Sequence, residues 1–410
     1  MTISRAHGVF CAFIAAAMAV PALPGAAQVA VRGGTIHTMN GAPIANGVII
    51  IRDGKIAAVG PATQVQIPDG MRVIEAEVVT AGLIDAHSVV GLAGQFNEDH
   101  DQDQLESSSP VQPELRAVDA YNARERLVEW IRGFGVTTIH TGHGPGELVS
   151  GQTMIVKTTG NTVEDATIVP LAMIAATLGE SAQKEDGKSP GNRSKMMAML
   201  RDELIKAREY RDKRQSAEAD KQPPRDLGLD AMVRVLEGEI PLLVTAHRAQ
   251  DIANALRLQA EFDVPMVLDG AAEAYLLIEE IKAAGVPVIV HPAMTRAYEE
   301  TRNLSMETAG LLRNAGIPIA LQSGYESYVP KTRVVLFEAA VAAANGLGFD
   351  DALAAITIDA ANILGIDERV GSIEIGKDGD LALYDGDPFE YTSHCTGVII
   401  EGEVVSETAR

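Results

Sequence analysis

Residues 251 to 292 read DIANALRLQAEFDVPMVLDGAAEAYLLIEEIKAAGVPVIVHP. Two textures alternate here. DIANALRLQAEFD and AYLLIEEIKAAG return an apolar residue every three or four positions, the period of a helix with one buried face. VPMVLDG and VPVIVHP are short, continuous apolar runs led by proline. Such runs suit strands covered on both faces, which occur in parallel sheets flanked by helices.

The same unit recurs on either side. GLIDAH (82–87), GVTTIHTG (135–142), TMIVKT (153–158), LAMIAATLG (171–179), IPLLVTAH (240–247) and IPIALQSG (317–324) bring the runs to eight, the number that closes a (β/α)8 TIM barrel. TMIVKT is separated from its predecessor by the glycine-rich GHGPGELVSGQ, too short for a crossover helix, so it also fits a hairpin arm. Residues 181–225 form a charged insertion, helical by pattern from about Asn192 to Ala219 and expected as a solvated cover on one side of the barrel.

The ends have a different texture. VAVRGGTIHTM, GVIIIRDGKIAAVG and RVIEAE lie between residues 29 and 77, and GSIEIGKDGDLALYDGD and TGVIIEGEVV between 371 and 405. All read as short strands, with RDGK as a hairpin turn. Neither end can bury a core alone, so residues 28–80 and 366–410 are expected to pair into one composite β-sandwich around a barrel of residues 81–365.

The first 27 residues, with a positive start, an apolar centre and small residues at Gly25 and Ala27, read as a secretory signal peptide. The mature chain is then expected to begin near Gln28 and to be soluble and exported, periplasmic or secreted. Only Cys395 follows the leader, so no intrachain disulfide can support the fold and packing must do so. A formal charge of −22 opposes nucleic acid or an anionic membrane as partner. No later run approaches the roughly 20 apolar residues of a membrane span.

In a parallel barrel the strand ends converge at one mouth. Residues at or near strand ends that could act there are His87, His140, His143, Lys157, Glu180, His247, Asp269 and His291. Two other stretches resemble binding loops but depart from them. FNEDHDQDQLES (96–107) lacks the glycine and glutamate of a calcium loop, and GHGPGELVSGQ lacks the spacing of a phosphate loop.

VVTAGLIDAHS (78–88), TAHRAQDI (245–252) and NILGIDERVGSIEIGKDGDLALYDGDP (362–388) together resemble the amidohydrolase superfamily, near its imidazolonepropionase-like and exported members. The resemblance spans nearly the whole mature chain and implies metal-dependent hydrolysis of a non-peptide or dipeptide-like C–N bond. It also implies one or two divalent metals, zinc foremost. Their ligands would be a His-x-His pair on the first strand, a carbamylated lysine or glutamate, histidines on the fifth and sixth strands, and an aspartate on the eighth.

Carried over by position, His87 and His247 match, but the second histidine of the pair falls on Val89, the sixth-strand histidine on or beside Gly270, and the aspartate on Ser323 or Gly324. These replacements cannot bind a metal. Three readings stay open. One metal could sit on His87, His247 and Glu180, with Glu180 the sole catalytic candidate and Lys157, His143 or His291 as weaker ligands. The chain could instead be a catalytically inactive pseudoenzyme, without a metal, that binds a ligand or an active relative. The mouth could also run metal-independent chemistry, although Ser88 beside His87 forms no triad. An active site would take a small amide or dipeptide-like substrate past the loops at 93–115 and 141–152. Association into a homo- or hetero-oligomer is expected.

Overall fold

The computed structural model describes residues 28–96, 98–216, 222–293, 298–324 and 334–410. The leader expected over residues 1–27 lies outside them. No helix among the described residues is long and apolar enough to cross a membrane.

The chain opens with β1 (Val29–His37), β2 (Ile44–Arg52), β3 (Lys55–Pro61) and β4 (Arg72–Ala81). It then enters the barrel through β5 (Leu83–Ser88), α1 (Arg126–Arg132), β6 (Val136–Gly142) and β7 (Val149–Lys157). A short α2 (Val163–Ala166) and β8 (Thr167–Val169) precede β9 (Ile174–Thr177). The insertion follows with α3 (Arg193–Ser216) and α4 (Leu227–Leu236). Alternation then becomes regular: β10 (Leu242–Ala246), α5 (Ala249–Phe262), β11 (Met266–Gly270), α6 (Ile278–Ala284), β12 (Val288–Val290), α7 (Thr308–Asn314) and β13 (Ile319–Leu321). Helices α8 (Val335–Ala342), α9 (Phe349–Ala355) and α10 (Ile358–Leu364) lead to β14 (Leu381–Tyr384), β15 (Cys395–Ile400) and β16 (Glu403–Ser406).

All eight apolar runs become strands of one sheet, ordered β13-β12-β11-β10-β9-β7-β6-β5, with β8 paired to β7. A parallel bridge from Ser88 to Gly324 joins the two ends and nearly closes the barrel. Seven strands run parallel, but β7 is antiparallel to both β6 and β9. TMIVKT is therefore hairpin arm and barrel strand at once, as the short preceding loop requires.

Leu243, Val267, Ile289 and Ala320 form one layer of the barrel interior, closed by Ala360, Ala361 and Leu364 of α10. Because side chains on a strand alternate, the residues two further along continue the same face. These are Thr245, Asp269, His291 and Gln322, all buried, so the interior turns polar towards the strand ends.

The terminal strands form a single sheet, β16-β15-β14-β4-β1-β2-β3. The two ends of the chain meet where β14 pairs antiparallel with β4. Where the sequence suggested a sandwich of two sheets, the described strands make one composite sheet. Its continuous core includes Val31, Ile49, Ile51, Val79, Leu383 and Ile399 from both ends.

The insertion is more than a solvated cover. Met196, Leu200 and Leu204, four apart on α3, are buried together with Ala207 and Tyr210. Arg193 grips Asp251 of α5 at 2.7 and 3.0 Å, and Lys184 pairs with the buried Glu147 of the loop between β6 and β7.

Candidate site at the barrel mouth

The polar layer of the barrel centres on Asp269. His87 Nδ1 donates to its Oδ1 at 2.9 Å and Gln322 Nε2 to the same oxygen at 2.7 Å, while the Thr245 hydroxyl donates to Oδ2 at 2.6 Å. All four residues are buried. Burial alone would raise the Asp269 pKa, but the His87 charge and these hydrogen bonds reverse that and hold it at about 2.

Two neighbouring groups are equally engaged. His140 lies with its ring 5.5 Å from that of His87. Its Nδ1 meets the Ala86 carbonyl at 2.7 Å and its Nε2 the Thr153 hydroxyl at 2.6 Å. Burial, helped by His87, pushes its pKa down to about 3, so the ring is neutral. Ser323 turns back on Asp85, its N–H donating at 3.0 Å and its hydroxyl to the other oxygen. Burial raises Asp85 to about 6 although the Ser323 bonds oppose it.

The remaining candidates are distributed unevenly. His247 follows β10 and is buried beneath Gly270. His291 follows β12, is buried, and donates its backbone N–H to the Gly270 carbonyl at 2.9 Å. His143 is buried in the loop after β6, its ring against Gly151, and burial lowers its pKa.

Glu180 lies in a single 3-10 turn beyond β9, with its side chain 42% exposed. It faces Arg193 at 3.8 Å and Arg248 at 3.7 Å. Lys157 is at the wrong end altogether. Since β7 runs backwards, its last residue pairs with Thr138 near the start of β6, on the floor of the barrel. There the Lys157 ammonium meets Asp378 at 3.0 Å and also Asp380. Burial opposes its charge, but Asp380 and Asp378 together raise its pKa above the ordinary lysine value. Lys157 is thus corrected from candidate ligand to floor rivet.

A divalent metal, implied by the family resemblance, does not fit this donor set. Asp269 has both oxygens engaged by protein donors, Glu180 lies half-exposed beside two arginines, and Val89, Gly270 and Gly324 offer no side-chain donor. Among the described residues no group of three or more His, Cys, Asp or Glu side chains is arranged to hold an ion.

The residues that sequence reasoning missed are Asp85, Thr153, Thr245 and Gln322. Their signal was the two-residue step along each strand, which places Thr245 inward two residues after Leu243 and Gln322 two after Ala320.

Comparison with known proteins agrees with the architecture. Residues 92–406 match the model of the amidohydrolase family. The chain belongs to that family. Amidohydrolase tasK of Hapsidospora irregularis is 22% identical over 391 residues, which cover 87% of this chain but only 39% of tasK. An imidazolonepropionase of Rhizorhabdus wittichii is 25% identical over 375 residues, 83% of this chain and 88% of the relative. Among solved structures, an amidohydrolase from Thermotoga maritima superposes with a TM-score of 0.87 at 29% identity, covering 92% of this chain and all of that one.

Proposed function

We propose that this amidohydrolase-family barrel binds a small amide or dipeptide-like molecule at its mouth without metal-dependent hydrolysis, as an exported ligand-binding protein or the partner subunit of an active relative. The observation that carries this reading is the engagement of the Asp269 carboxylate by the protein itself. Three protein donors hold it in the middle of the polar layer, so of its roughly four lone-pair sites only one, on Oδ2, is left for a metal. Export rests on the leader-like first 27 residues.

A second reading keeps one metal, zinc foremost, on His87 and His247 with Glu180 turned inward, and with it hydrolysis of a C–N bond. It is favoured by the relatives named as amidohydrolase and imidazolonepropionase. Elemental analysis of the purified protein, before and after chelation and an offer of zinc, separates the two. We expect no metal above background and a melting temperature indifferent to chelator. About one zinc per chain, lost in the His87→Ala/His247→Ala double variant, would overturn the metal-free reading.

A further inference from the structure

Beside α8 and β15 lies a cavity of about 500 Å3, lined by none of the residues of the barrel-mouth site. Its volume falls within the range of small-molecule sites. Aromatic residues make up only 4% of the chain, yet three of its eight phenylalanines, Phe134, Phe337 and Phe389, line this one cavity. Tyr391 stands at it 99% exposed and Phe337 43% exposed, so large apolar surfaces face water beside the concavity.

The wall is built and braced. Phe134 meets Phe337 edge-on at 5.6 Å and Trp130 at 5.2 Å, and Phe349 backs Phe389 at 5.0 Å. Its buried polar atoms are already used. The Tyr384 hydroxyl donates to the Phe134 carbonyl at 3.2 Å and the Cys395 thiol to that of Gly397 at 3.5 Å. A ligand therefore meets a surface that asks for no hydrogen bonds, which suits a flat apolar body.

The rim adds a charge. His394 is occupied by Asp385 at 3.1 Å, and Glu390 supplies a carboxylate. Arg410 makes no ion pair with an acidic side chain among the described residues, and its guanidinium stacks 4.9 Å over Trp130. That stacking leaves the guanidinium edge able to accept an anion.

We propose that this cavity is a second ligand site, taking a planar aromatic or comparably apolar molecule with a single carboxylate or sulfonate. The apolar body would lie among Phe134, Phe337 and Phe389, with the anion on Arg410.

Trp130 is the single tryptophan of the chain and packs against Phe134 at 5.2 Å, so its emission comes from one group directly behind this wall. The probes are anilinonaphthalene sulfonate and its uncharged counterpart phenylnaphthylamine, titrated against the full chain. The sulfonate dye should bind once per chain and quench Trp130 by energy transfer. Ala340→Phe, which narrows the cavity, should weaken both dyes about tenfold or more, and Phe337→Ala should weaken both while removing only a partly exposed ring. Arg410→Gln should weaken the sulfonate dye about tenfold and leave the neutral one unchanged. Melting curves check that each variant is folded. Unchanged affinity in folded Ala340→Phe and Phe337→Ala would overturn the site. Equal loss of both dyes in Arg410→Gln would overturn the anion assignment.

Discussion

At Gly270 the backbone has φ +75°, and a Cβ there would lie 2.5 Å from Cε1 of His247. Gly270, on or beside which the resemblance places a family histidine, thus sits where no side chain fits without moving its neighbour. Gly270→Ala should lower stability by about 1–3 kcal/mol in urea unfolding, and Gly270→His should not create a zinc site in a binding titration. Asp269→Asn should be costlier, about 3 kcal/mol in the same assay, because an amide nitrogen would replace one of the two oxygens that now accept from His87, Gln322 and Thr245 in the core. His140 supplies a pH dependence. Its folded pKa, about 3, lies below the ordinary 6.5, so the unfolded chain takes up a proton that the folded one refuses. Its contribution is complete above pH 6.5 and declines as pH falls towards 3, by several kcal/mol in all. Unfolding curves of folded His140→Gln should lose that part of the acid slope, and an unchanged slope would contradict it. His87 and His247 were legible because their flanking residues match a motif. Thr245 and Gln322 were not, since a threonine or glutamine at a strand end has no distinctive chemistry until the barrel turns it towards one carboxylate.

Strand direction is the lesson at the scale of the element. The apolar runs betrayed all eight strands, but an apolar run reads the same in either orientation. Only the length of the loop between β6 and β7 carried the reversal. That reversal decides what Lys157 does. On the floor it shares Asp378 with Lys55 at 2.5 Å and with Arg369 at 2.9 Å, and so ties the barrel to the composite sheet. Lys157→Met should therefore cost about 3 kcal/mol or more in thermal or urea unfolding, because it removes the cation paired with buried Asp380 while Asp378 keeps Lys55 and Arg369. Since the folded pKa of Lys157 is raised, its contribution is whole below the ordinary lysine range and fades only as pH climbs through the folded value. The deficit of the variant should then stay constant across neutral pH. The insertion was legible as a helix from its period, but not its anchoring, because Arg193 and Lys184 find Asp251 and Glu147 from distant segments.

For the whole molecule, the pairing of β4 with β14 is the seam. Its two sides were readable as strands from composition, but a single sheet of seven could not be told from a sandwich, because strand order depends on partners far apart in sequence. A chain ending at Asp380 would lack β14 to β16 and leave the apolar flank of β4 open. It should be found in the insoluble fraction on expression and lose the cooperative melt of the full chain. The seam also sets a timetable. β4 is complete early in synthesis, but its partner residues, Leu381 to Tyr384, are added about 300 residues later. At roughly 5–20 residues per second this means tens of seconds of waiting. Throughout that interval the newborn amino-terminal half carries a sticky, unzipped border, so safe passage depends on how quickly translation delivers the last strands or on what shields the border meanwhile.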